Sequence, residues 1–379
     1  MSAPTTPHDP SSSAENSAPE DDRALGGVLV PPPTKRHVSV ARLTRHWYVA
    51  CWSKELKAKP VARTVLGIPM VLFRDGDGKA AALLDRCPHR NVPLSGGQVV
   101  DGTLQCGYHG WRFDGCGTCV EVPGLVSEPA RKGRAAVTYP VVEQDGLVWV
   151  WADALVEPKG EPQQLALTDA AGYSTVRAYF RMEATMHACL ENMLDVPHTA
   201  FLHGGLFRTA KKRNAIRAEV RRDRDGVECQ YIGEPRPSGI IGGILAPGGG
   251  LVEHYDRFLM PCLGQVEYRL GENSHVLATQ ILTPETDFVT RAYAIVSFKL
   301  PLPGWLVRPF VEPVARGIMK QDARILRAQS ESVQRFGGER FVSTEIDLLG
   351  PHIWHLLKRA ERGELDLVEP LERTVELLV

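Results

Sequence analysis

The sequence predicts an α+β protein, in which a small all-β domain precedes a larger domain that combines helices with an antiparallel sheet. From about residue 44 to 156, short apolar runs such as TVLGIPMVLFR (64–74), KAAALLD (79–85) and DGLVWVWAD (145–153) are bounded by Gly, Asp and Lys. Such runs are typical of strands in a small sandwich or barrel. The segment EPKGEPQQ (157–164) is typical of a linker, and helical and strand patterns are mixed from residue 165 to 379.

Composition and charge exclude several classes of function. The chain has 379 residues, of which 43% are hydrophobic and 23% are charged, as is ordinary for a globular protein. Its net charge of −1 gives no global electrostatic argument for nucleic acid or an anionic membrane as a partner. Eight cysteines spread over this length do not resemble a disulfide scaffold, so we expect a reducing, cytoplasmic compartment with cysteines available as metal ligands.

Two segments bear on targeting and membranes. Residues 1–25 are rich in Ser, Pro, Ala and acidic residues, and we expect a disordered tail and no secretory signal there. Residues 300–319 come nearest to a membrane span, but they contain four prolines and three charged residues. We expect a buried, irregular approach to a helix and no membrane contact, with monotopic membrane contact as the alternative.

The elements of the larger domain follow from periodicity. Residues 182–198 and 317–336 are predicted to be helices, and residues 275–284 and 291–300 to be adjacent strands. Residues 237–250 form a Gly-rich loop that has neither a GxxxxGK motif nor a GxGxxG motif between a strand and a helix. The chain is therefore expected to have no nucleotide site of its own.

Two mixed pairs of metal ligands occur in the predicted β domain. Cys87 and His89 form a Cys-x-His pair, and Cys106 and His109 form a Cys-x-x-His pair sixteen residues later. Zinc fingers pair like ligands instead, whereas in a Rieske cluster two cysteines hold one iron and two histidines hold the other. Four nearby glycines (Gly96, Gly97, Gly107 and Gly110) permit a close approach of the two loops. A zinc site or a chance set remains the alternative.

A second group of possible ligands lies in the stretch LENMLDVPHTAFLH (190–203). His198 and His203 are five residues apart, so in a regular helix they would project about 140° away from each other. They converge only if the helix breaks or widens between them, and Pro197 just before His198 makes such an irregularity plausible. The spacing by itself is weak evidence for a metal site.

A carboxylate in the second predicted helix completes this group. Asp322 occupies a position in the apolar stripe that contains Ile318, Ile325, Leu326, Gln329 and Val333. A buried carboxylate is costly unless a cation or hydrogen-bond donors meet it. Two histidines and one carboxylate form the facial triad of non-heme Fe(II) oxygenases. A carboxylate near a helix start that faces water is the alternative.

From about residue 44 to 340, the sequence resembles the terminal oxygenase (α) subunit of Rieske non-heme iron oxygenases, in their homotrimeric monooxygenase and demethylase-like branch. The motifs CPHR, CGYHGWRFD, LENMLDVPHTAFLH and MKQDARILRAQ carry the resemblance. It implies a Rieske domain over 44–156 and a catalytic domain over 165–379. It also implies a 2Fe-2S cluster on the four Cys and His residues, and a mononuclear Fe(II) on His198, His203 and Asp322. Asp195 would be catalytic, as the bridge from His109 of a neighbouring chain to His198.

The implied activity is oxidation of a lipophilic or aromatic small molecule with O2, by hydroxylation or oxidative demethylation, and the family includes both monooxygenases and dioxygenases. Electrons would come from NAD(P)H through a flavin reductase, a ferredoxin or both. Desaturation and oxidative cyclisation are alternatives within the family. A Rieske electron-transfer protein without oxygenase chemistry is the alternative outside it.

A basic stretch over residues 208–224 contains eight basic residues and two acidic residues. A solvated surface is the simpler interpretation. A docking patch for an acidic electron carrier is the functional one. Nucleic-acid binding is not expected, because the sequence contains no recognised fold for it.

Overall fold

The computed structural model describes residues 38–204, 214–235, 252–270 and 274–378. The expected disordered tail (1–25) and the Gly-rich loop (237–250) lie outside the described residues, as does the part of the basic stretch that contains Lys211, Lys212 and Arg213.

The first part of the described chain folds into small antiparallel sheets. Its strands are, in chain order, β1 (Trp47–Trp52), β2 (Val61–Val65), β3 (Ile68–Arg74), β4 (Ala80–Leu84), β5 (Gln98–Val100), β6 (Thr103–Gln105), β7 (Arg112–Phe113), β8 (Cys119–Glu121), β9 (Thr138–Tyr139), β10 (Val141–Gln144) and β11 (Leu147–Trp151). They pair in the orders β1-β11-β10, β2-β3-β4-β9 and β5-β6-β7-β8. The expected all-β first domain is therefore confirmed.

One predicted strand is a hairpin. The run 64–74 contains the end of β2, a two-residue turn and all of β3, because Leu66 and Gly67 both have positive φ angles. Two consecutive residues of this kind form the tight turn that suits the twist of a hairpin. Val65 and Ile68 pair directly across it.

The second part contains four helices and eight strands among the described residues. In chain order these are β12 (Ser174–Met182), α1 (Met186–Met193), α2 (Thr199–Leu202), β13 (Ala215–Arg222), β14 (Gly226–Ile232), β15 (Val252–Leu259), β16 (Leu263–Leu270), β17 (His275–Thr286), β18 (Val289–Lys299), α3 (Gly304–Arg335), α4 (Gly350–Glu361) and β19 (Leu371–Leu378). The strands form one antiparallel sheet in the order β12-β18-β17-β16-β15-β14-β13-β19. The predicted neighbours 275–284 and 291–300 correspond to β17 and β18.

The helices α1 and α3 cover one face of this sheet. A Cβ atom on Gly264 of β16 would lie 2.7 Å from Sδ of Met193, so α1 packs directly on the sheet at this glycine. The start of α3 packs on the edge strands through Val307, which shares a buried cluster with Val176 and Phe298. This packing places the end of α1 and the middle of α3 on the same side of the sheet.

The first predicted helix (182–198) is too long at both ends. Met182 belongs to β12, where it pairs with Thr290 of β18. α1 begins after Thr185, whose hydroxyl oxygen accepts a hydrogen bond from the backbone NH of Ala188 at 3.1 Å. A threonine in this capping position defines a helix start that hydrophobic periodicity does not reveal. The helix ends at Met193, before the metal-ligand candidates.

The expectation of a buried, irregular segment at residues 300–319 is wrong. α3 begins at Gly304, contains Pro309 and Pro313, and exposes 76% of Trp305 and 64% of Phe310. Both prolines are exposed. Solvent can therefore hydrate the carbonyl groups that they leave without a donor, which makes a proline-containing helix tolerable here. No helix within the described residues is long and apolar enough to cross a membrane.

The two parts of the chain are joined by buried contacts. The hydroxyl groups of Thr283 and Tyr293 donate hydrogen bonds to the carbonyl oxygens of Val49 and Ala50, at 2.8 and 2.7 Å. Trp52 packs edge-on against Tyr293, with ring centroids 5.4 Å apart. β1 of the first part therefore packs on β17 and β18 of the large sheet.

Candidate metal centres

Two loops of the first domain carry the mixed Cys/His pairs. Cys87 and His89 lie between β4 and β5, and Cys106 and His109 lie between β6 and β7. Each loop is closed by backbone hydrogen bonds. The NH of Cys87 donates to the carbonyl of Val92 at 2.9 Å, and the NH of Cys106 donates to the carbonyl of Trp111 at 2.8 Å. The turns hold each Cys close to its His.

Glycines allow the two loops to meet. A Cβ atom on Gly97 would lie 1.9 Å from the carbonyl oxygen of Gln105, and one on Gly107 would lie 3.0 Å from the carbonyl oxygen of Gly96. Gly110 has a φ angle of +73°, which other residues rarely adopt. Gly96, in contrast, faces open space. The predicted close approach therefore depends on Gly97 and Gly107 and does not need a glycine at position 96.

The donor atoms of this site form an inner and an outer pair. Cys87 and Cys106 are buried, and burial raises the pKa of Cys87 to about 11, with a further contribution from the neighbouring Cys106 thiol. The Cys87 thiol would stay protonated without a cation, since the thiolate is the metal ligand. The rings of His89 and His109 lie 4.6 Å apart, and His89 stacks on Trp111.

The chemistry of these donors fits a Rieske cluster. The Nδ1 atom of His89 is buried and has no hydrogen-bond partner among the described residues. A buried polar atom without a partner is costly, and coordination to a metal removes that cost. Two thiols on the inner side and two imidazoles on the outer side match one iron bound by cysteine and one bound by histidine.

A second group of ligands forms where the chain leaves α1. His198 and His203 flank the single-turn helix α2, and their Nε2 atoms are 3.3 Å apart. The irregular segment lies between α1 and His198, so His203 ends a separate short turn instead of continuing a long helix. The expectation of a break or widening between the two histidines is therefore wrong, because the residues between them form one helical turn and the break precedes His198. His203 itself has left helical geometry, with a φ angle of −109° and a ψ angle of 33°, and the two rings converge at the end of this short turn.

Asp322 of α3 points at these two histidines. It is 7% exposed, and its Oδ1 atom lies 3.1 Å from Nε2 of His203 and 3.9 Å from Nε2 of His198. The ligand atoms of the three residues all lie within 4.8 Å of one another. Within the described part of the chain, this buried Oδ1 makes no hydrogen bond of acceptable geometry. A buried carboxylate oxygen without a donor is consistent with a cation bound between this carboxylate and the two imidazoles.

The inward orientation of Asp322 was predicted correctly, but part of the stripe around it was not. Ile325 is 48% exposed, whereas Met319, Leu326 and Val333 are buried. Asp322, Leu326 and Val333 are four and seven residues apart and share one side of the helix. Ile325 lies on an adjacent side that the sheet does not cover.

The outer nitrogen atoms of the two histidines have different neighbours. Nδ1 of His198 contacts the carbonyl oxygen of Asp195 and lies 3.3 Å from its carboxylate. Nδ1 of His203 lies 2.7 Å from Oε1 of Gln321. Burial lowers the pKa of His203, but its contacts with Asp322 and Gln321 outweigh burial and raise it overall. Gln321 was not among the residues predicted from the sequence, where its position next to Asp322 is its only signal.

A cavity of about 670 Å³ lies beside Asp195. Glu191 and Asn192, whose roles the sequence did not define, line this cavity together with Tyr231 and Arg340. Burial raises the pKa of Glu191, and the negative charge of Asp195 contributes in the same direction. The side chain of Asp195 is 31% exposed, so its carboxylate is accessible from outside the chain.

The described part of the basic stretch lies on the exposed side of β13 and the turn after it. Arg217 and Arg221 lie 3.2 and 3.5 Å from Glu219, and Arg224 lies 3.3 Å from Asp366. These arginines are paired with carboxylates at the surface, which favours the solvated-surface interpretation for residues 214–224.

Two protein-family models match the chain. Residues 46–140 match the Rieske [2Fe-2S] domain, and residues 182–362 match the vanillate O-demethylase oxygenase C-terminal domain. The first match contains both Cys/His loops, and the second contains His198, His203 and Asp322. The chain belongs to the Rieske oxygenases. The recognition made from the sequence motifs is thereby confirmed, and the two matches contain both groups of candidate ligands.

Individual relatives of this Rieske oxygenase agree with that assignment. The oxygenase component of dicamba O-demethylase from Stenotrophomonas maltophilia is 43% identical over 160 residues, which are 41% of this chain and 46% of that protein. The oxygenase component of chloroacetanilide N-alkylformylase from Rhizorhabdus wittichii (strain DC-6 / KACC 16600) is 29% identical over 269 residues, which are 65% and 73% of the two chains. The alignment with dicamba O-demethylase thus spans less than half of that relative.

A solved structure supports the fold. The crystal structure of dicamba monooxygenase with non-heme iron and dicamba has a TM-score of 0.66 and 26% sequence identity, and the comparison covers 86% of this chain and all of that one. The Rieske domain match supports a 2Fe-2S cluster in the first domain.

Proposed function

We propose that this Rieske oxygenase is the terminal component of a multicomponent system that uses O2 to hydroxylate or demethylate a lipophilic or aromatic small molecule. The observation that carries the proposal is the convergence of His198, His203 and Asp322, with a buried carboxylate oxygen that no described hydrogen-bond donor satisfies. The names of two relatives, an O-demethylase and an N-alkylformylase, support oxidative removal of a substituent.

The ligand assignments are part of this proposal. Cys87 and Cys106 hold the inner iron of the Rieske cluster, and His89 and His109 hold the outer iron. His198, His203 and Asp322 hold the mononuclear iron, and such a triad leaves coordination positions open for O2. When bound, the cluster supplies single electrons and the mononuclear iron activates O2.

The protein side chains orient and shield these groups. Asp195 accepts a hydrogen bond from Nδ1 of His198, which leaves Nε2 of that ring free to bind the metal. The two buried cysteines keep the inner part of the first site out of water. The exposed ring of His109 presents the outer part at the protein surface.

The proposed assembly is a homotrimer in which active sites form between chains. Asp195 has acceptor capacity left for a second imidazole, and its side chain is partly exposed beside the 670 Å³ cavity. His109 of a neighbouring chain would donate to it and so connect one cluster to the next iron. The domain division at residues 157–164 separates the two metal-binding units of each chain.

The proposed partners are a flavin reductase, a ferredoxin or both. The described residues contain no recognised nucleotide-binding motif, so electrons from NAD(P)H must come through another protein. All eight cysteines lie in the described ranges and none forms a disulfide, which supports a reducing, cytoplasmic location. By analogy with the relatives, aromatic methyl ethers and N-alkyl amides are the first candidate substrates to test.

Metal content and turnover test the proposal together. We expect about three irons for every two acid-labile sulfides, because a 2Fe-2S cluster and one further iron are present. Asp322→Ala should lose the further iron and all product formation while it keeps the visible absorption of the cluster. His89→Ala should lose the cluster and keep the further iron. Glu331→Ala, at an exposed position of the same helix, is the matched control.

The assay supplies NADPH or NADH, a reductase, O2 and the candidate substrates, and measures O2 uptake, formaldehyde and hydroxylated product. About two irons for every two sulfides, without O2 uptake, would instead identify a Rieske electron-transfer protein. Full iron content and full activity in Asp322→Ala would contradict the ligand assignment.

A further inference from the structure

The ring of His203 lies between two consecutive residues of α3. Its Nδ1 atom is 2.7 Å from Oε1 of Gln321, and its Nε2 atom is 3.1 Å from Oδ1 of Asp322. Only 2% of the His203 side chain is exposed. Because successive residues of a helix point about 100° apart, one planar ring that spans both of them has a fixed orientation.

The atoms in contact decide the tautomer of this ring. An amide oxygen accepts hydrogen bonds and cannot donate them, so Nδ1 of His203 must carry the hydrogen atom. In the neutral imidazole, the lone pair is then on Nε2, which faces Asp322 and lies 3.3 Å from Nε2 of His198. This is the tautomer that a metal between the three residues requires.

We infer that Gln321 is a positioning residue for the mononuclear iron. It fixes the tautomer and the ring orientation of His203. The inference rests on the proposed function, because it concerns the same iron site. Gln321 acts through His203 and has no contact of its own with the other two ligands among the hydrogen bonds of the described residues.

The two histidine ligands thereby become chemically different. Nδ1 of His198 contacts the backbone carbonyl oxygen of Asp195 and lies 3.3 Å from its carboxylate, whereas Nδ1 of His203 faces a neutral amide. A carboxylate partner raises the basicity of a ligating imidazole more than an amide does.

Three substitutions distinguish a role of Gln321 in positioning His203 from a role in maintaining the fold. Gln321→Leu removes the acceptor, Gln321→Glu keeps an acceptor and adds a charge, and Gln334→Leu makes the same chemical change at an exposed position of the same helix. The affinity for Fe(II) is measured by competition with a chelator on enzyme that retains its cluster. The visible absorption of the cluster reports whether the fold is intact.

We expect Gln321→Leu to bind Fe(II) about 10- to 100-fold more weakly than the wild-type enzyme, which is the usual effect of losing such a partner. Gln321→Glu should bind Fe(II) at least as tightly as the wild-type enzyme, and Gln334→Leu should not differ from it. If Gln321→Leu loses the cluster as well, Gln321→Asn, whose amide is too short to reach, takes its place in the comparison.

A spectroscopic signature tests the tautomer directly. With Co(II) in the mononuclear site, we expect two exchangeable, paramagnetically shifted imidazole NH resonances, one from each histidine. Gln321→Leu should broaden or lose the His203 resonance through faster exchange with water, and Gln321→Glu should restore it. Wild-type affinity together with both resonances in Gln321→Leu would overturn the inference and leave the proposed function intact. A wild-type enzyme that binds no mononuclear metal would overturn both.

Discussion

His254 and Asp322 are buried ionisable residues of the same domain whose surroundings differ. Nδ1 and Nε2 of His254 lie 2.6 Å from Glu234 and 2.9 Å from Asp256, and its ring stacks between Tyr231 and Tyr268. Each nitrogen of His254 thus has a carboxylate partner. Oδ1 of Asp322, in contrast, makes no hydrogen bond among the described residues. This difference makes His254 a structural residue and Asp322 a ligand candidate.

The pairing of His254 predicts a pH dependence of stability. Burial lowers the pKa of His254, but Asp256 and Glu234 outweigh burial and raise it to about 9. The unfolded value is about 6.5, so the imidazolium contributes its full stability below that pH. The contribution should fall by about 1.4 kcal/mol per pH unit as the pH rises from about 6.5 to 9, because the folded state then binds the additional proton.

Urea unfolding of the holoenzyme at several pH values measures this slope. Glu234→Gln removes one of the two charges that raise the pKa of His254 and should make the slope shallower. His352→Gln is the control, since burial and the nearby Arg222 lower the pKa of His352 and its titration falls below this window. Equal slopes for the wild-type enzyme and Glu234→Gln would contradict the assignment of a charged His254.

At the scale of elements, the cluster site depends on how closely two loops approach. The loop after β4 and the loop after β6 meet at Gly97 and Gly107, where little room exists for a side chain. The iron site depends on a different feature. The helix is interrupted between α1 and α2, so that α2 forms a separate turn. At the cluster site two irregular loops bring the candidate ligands together, whereas at the iron site these residues lie at the two ends of the short helix α2 and within α3.

Two adjacent glycines provide a matched test of the loop contact. Gly97→Ala would place a Cβ atom 1.9 Å from the carbonyl oxygen of Gln105, so we expect the loops to separate and the cluster to be lost or greatly reduced. Gly96→Ala has open space and a negative φ angle, and should retain the cluster. Visible absorption and acid-labile sulfide per chain measure the result. Equal cluster content in the two variants would show that the contact is not required.

At the scale of the whole molecule, the domains of one chain are joined on the β1 side of the large sheet. Thr283 and Tyr293 bond to the backbone of β1, and this places the first domain against β17 and β18. Asp195 lies elsewhere, beside a cavity that α1, α3 and the segment before α4 line. The proposed trimer uses this second surface to receive the cluster of another chain.

Co-expression of two inactive variants tests the shared active site. Cys87→Ala lacks the cluster and Asp322→Ala lacks the mononuclear iron, so neither homotrimer should turn over. In a mixed trimer, one intact cluster faces one intact iron of the next chain, and we expect about one third of wild-type activity from the symmetry of a three-membered ring. Each variant carries a different affinity tag, so that mixed trimers can be purified. Wild-type chains that carry the same two tags are the control. Inactive mixed trimers of confirmed composition would place electron transfer within a single chain.

The sequence by itself determined the donor types of the cluster and its two-loop arrangement. These ligands lie within 23 residues, and their mixed pairing is a local feature of the chain. It also determined the adjacent strands β17 and β18 and the inward orientation of Asp322, because strand alternation and helix periodicity depend on short-range backbone geometry. The family followed from the same motifs.

Only the tertiary structure decided which groups meet. His203 and Gln321 are separated by 118 positions, and the packing of α1 and α3 on one sheet brings them within 2.7 Å. The same packing leaves the start of α3 exposed, although its sequence is apolar enough to suggest burial. A sequence pattern specifies how apolar a segment is, but the neighbours that cover it, and the partners of its polar atoms, are set by contacts between distant parts of the chain.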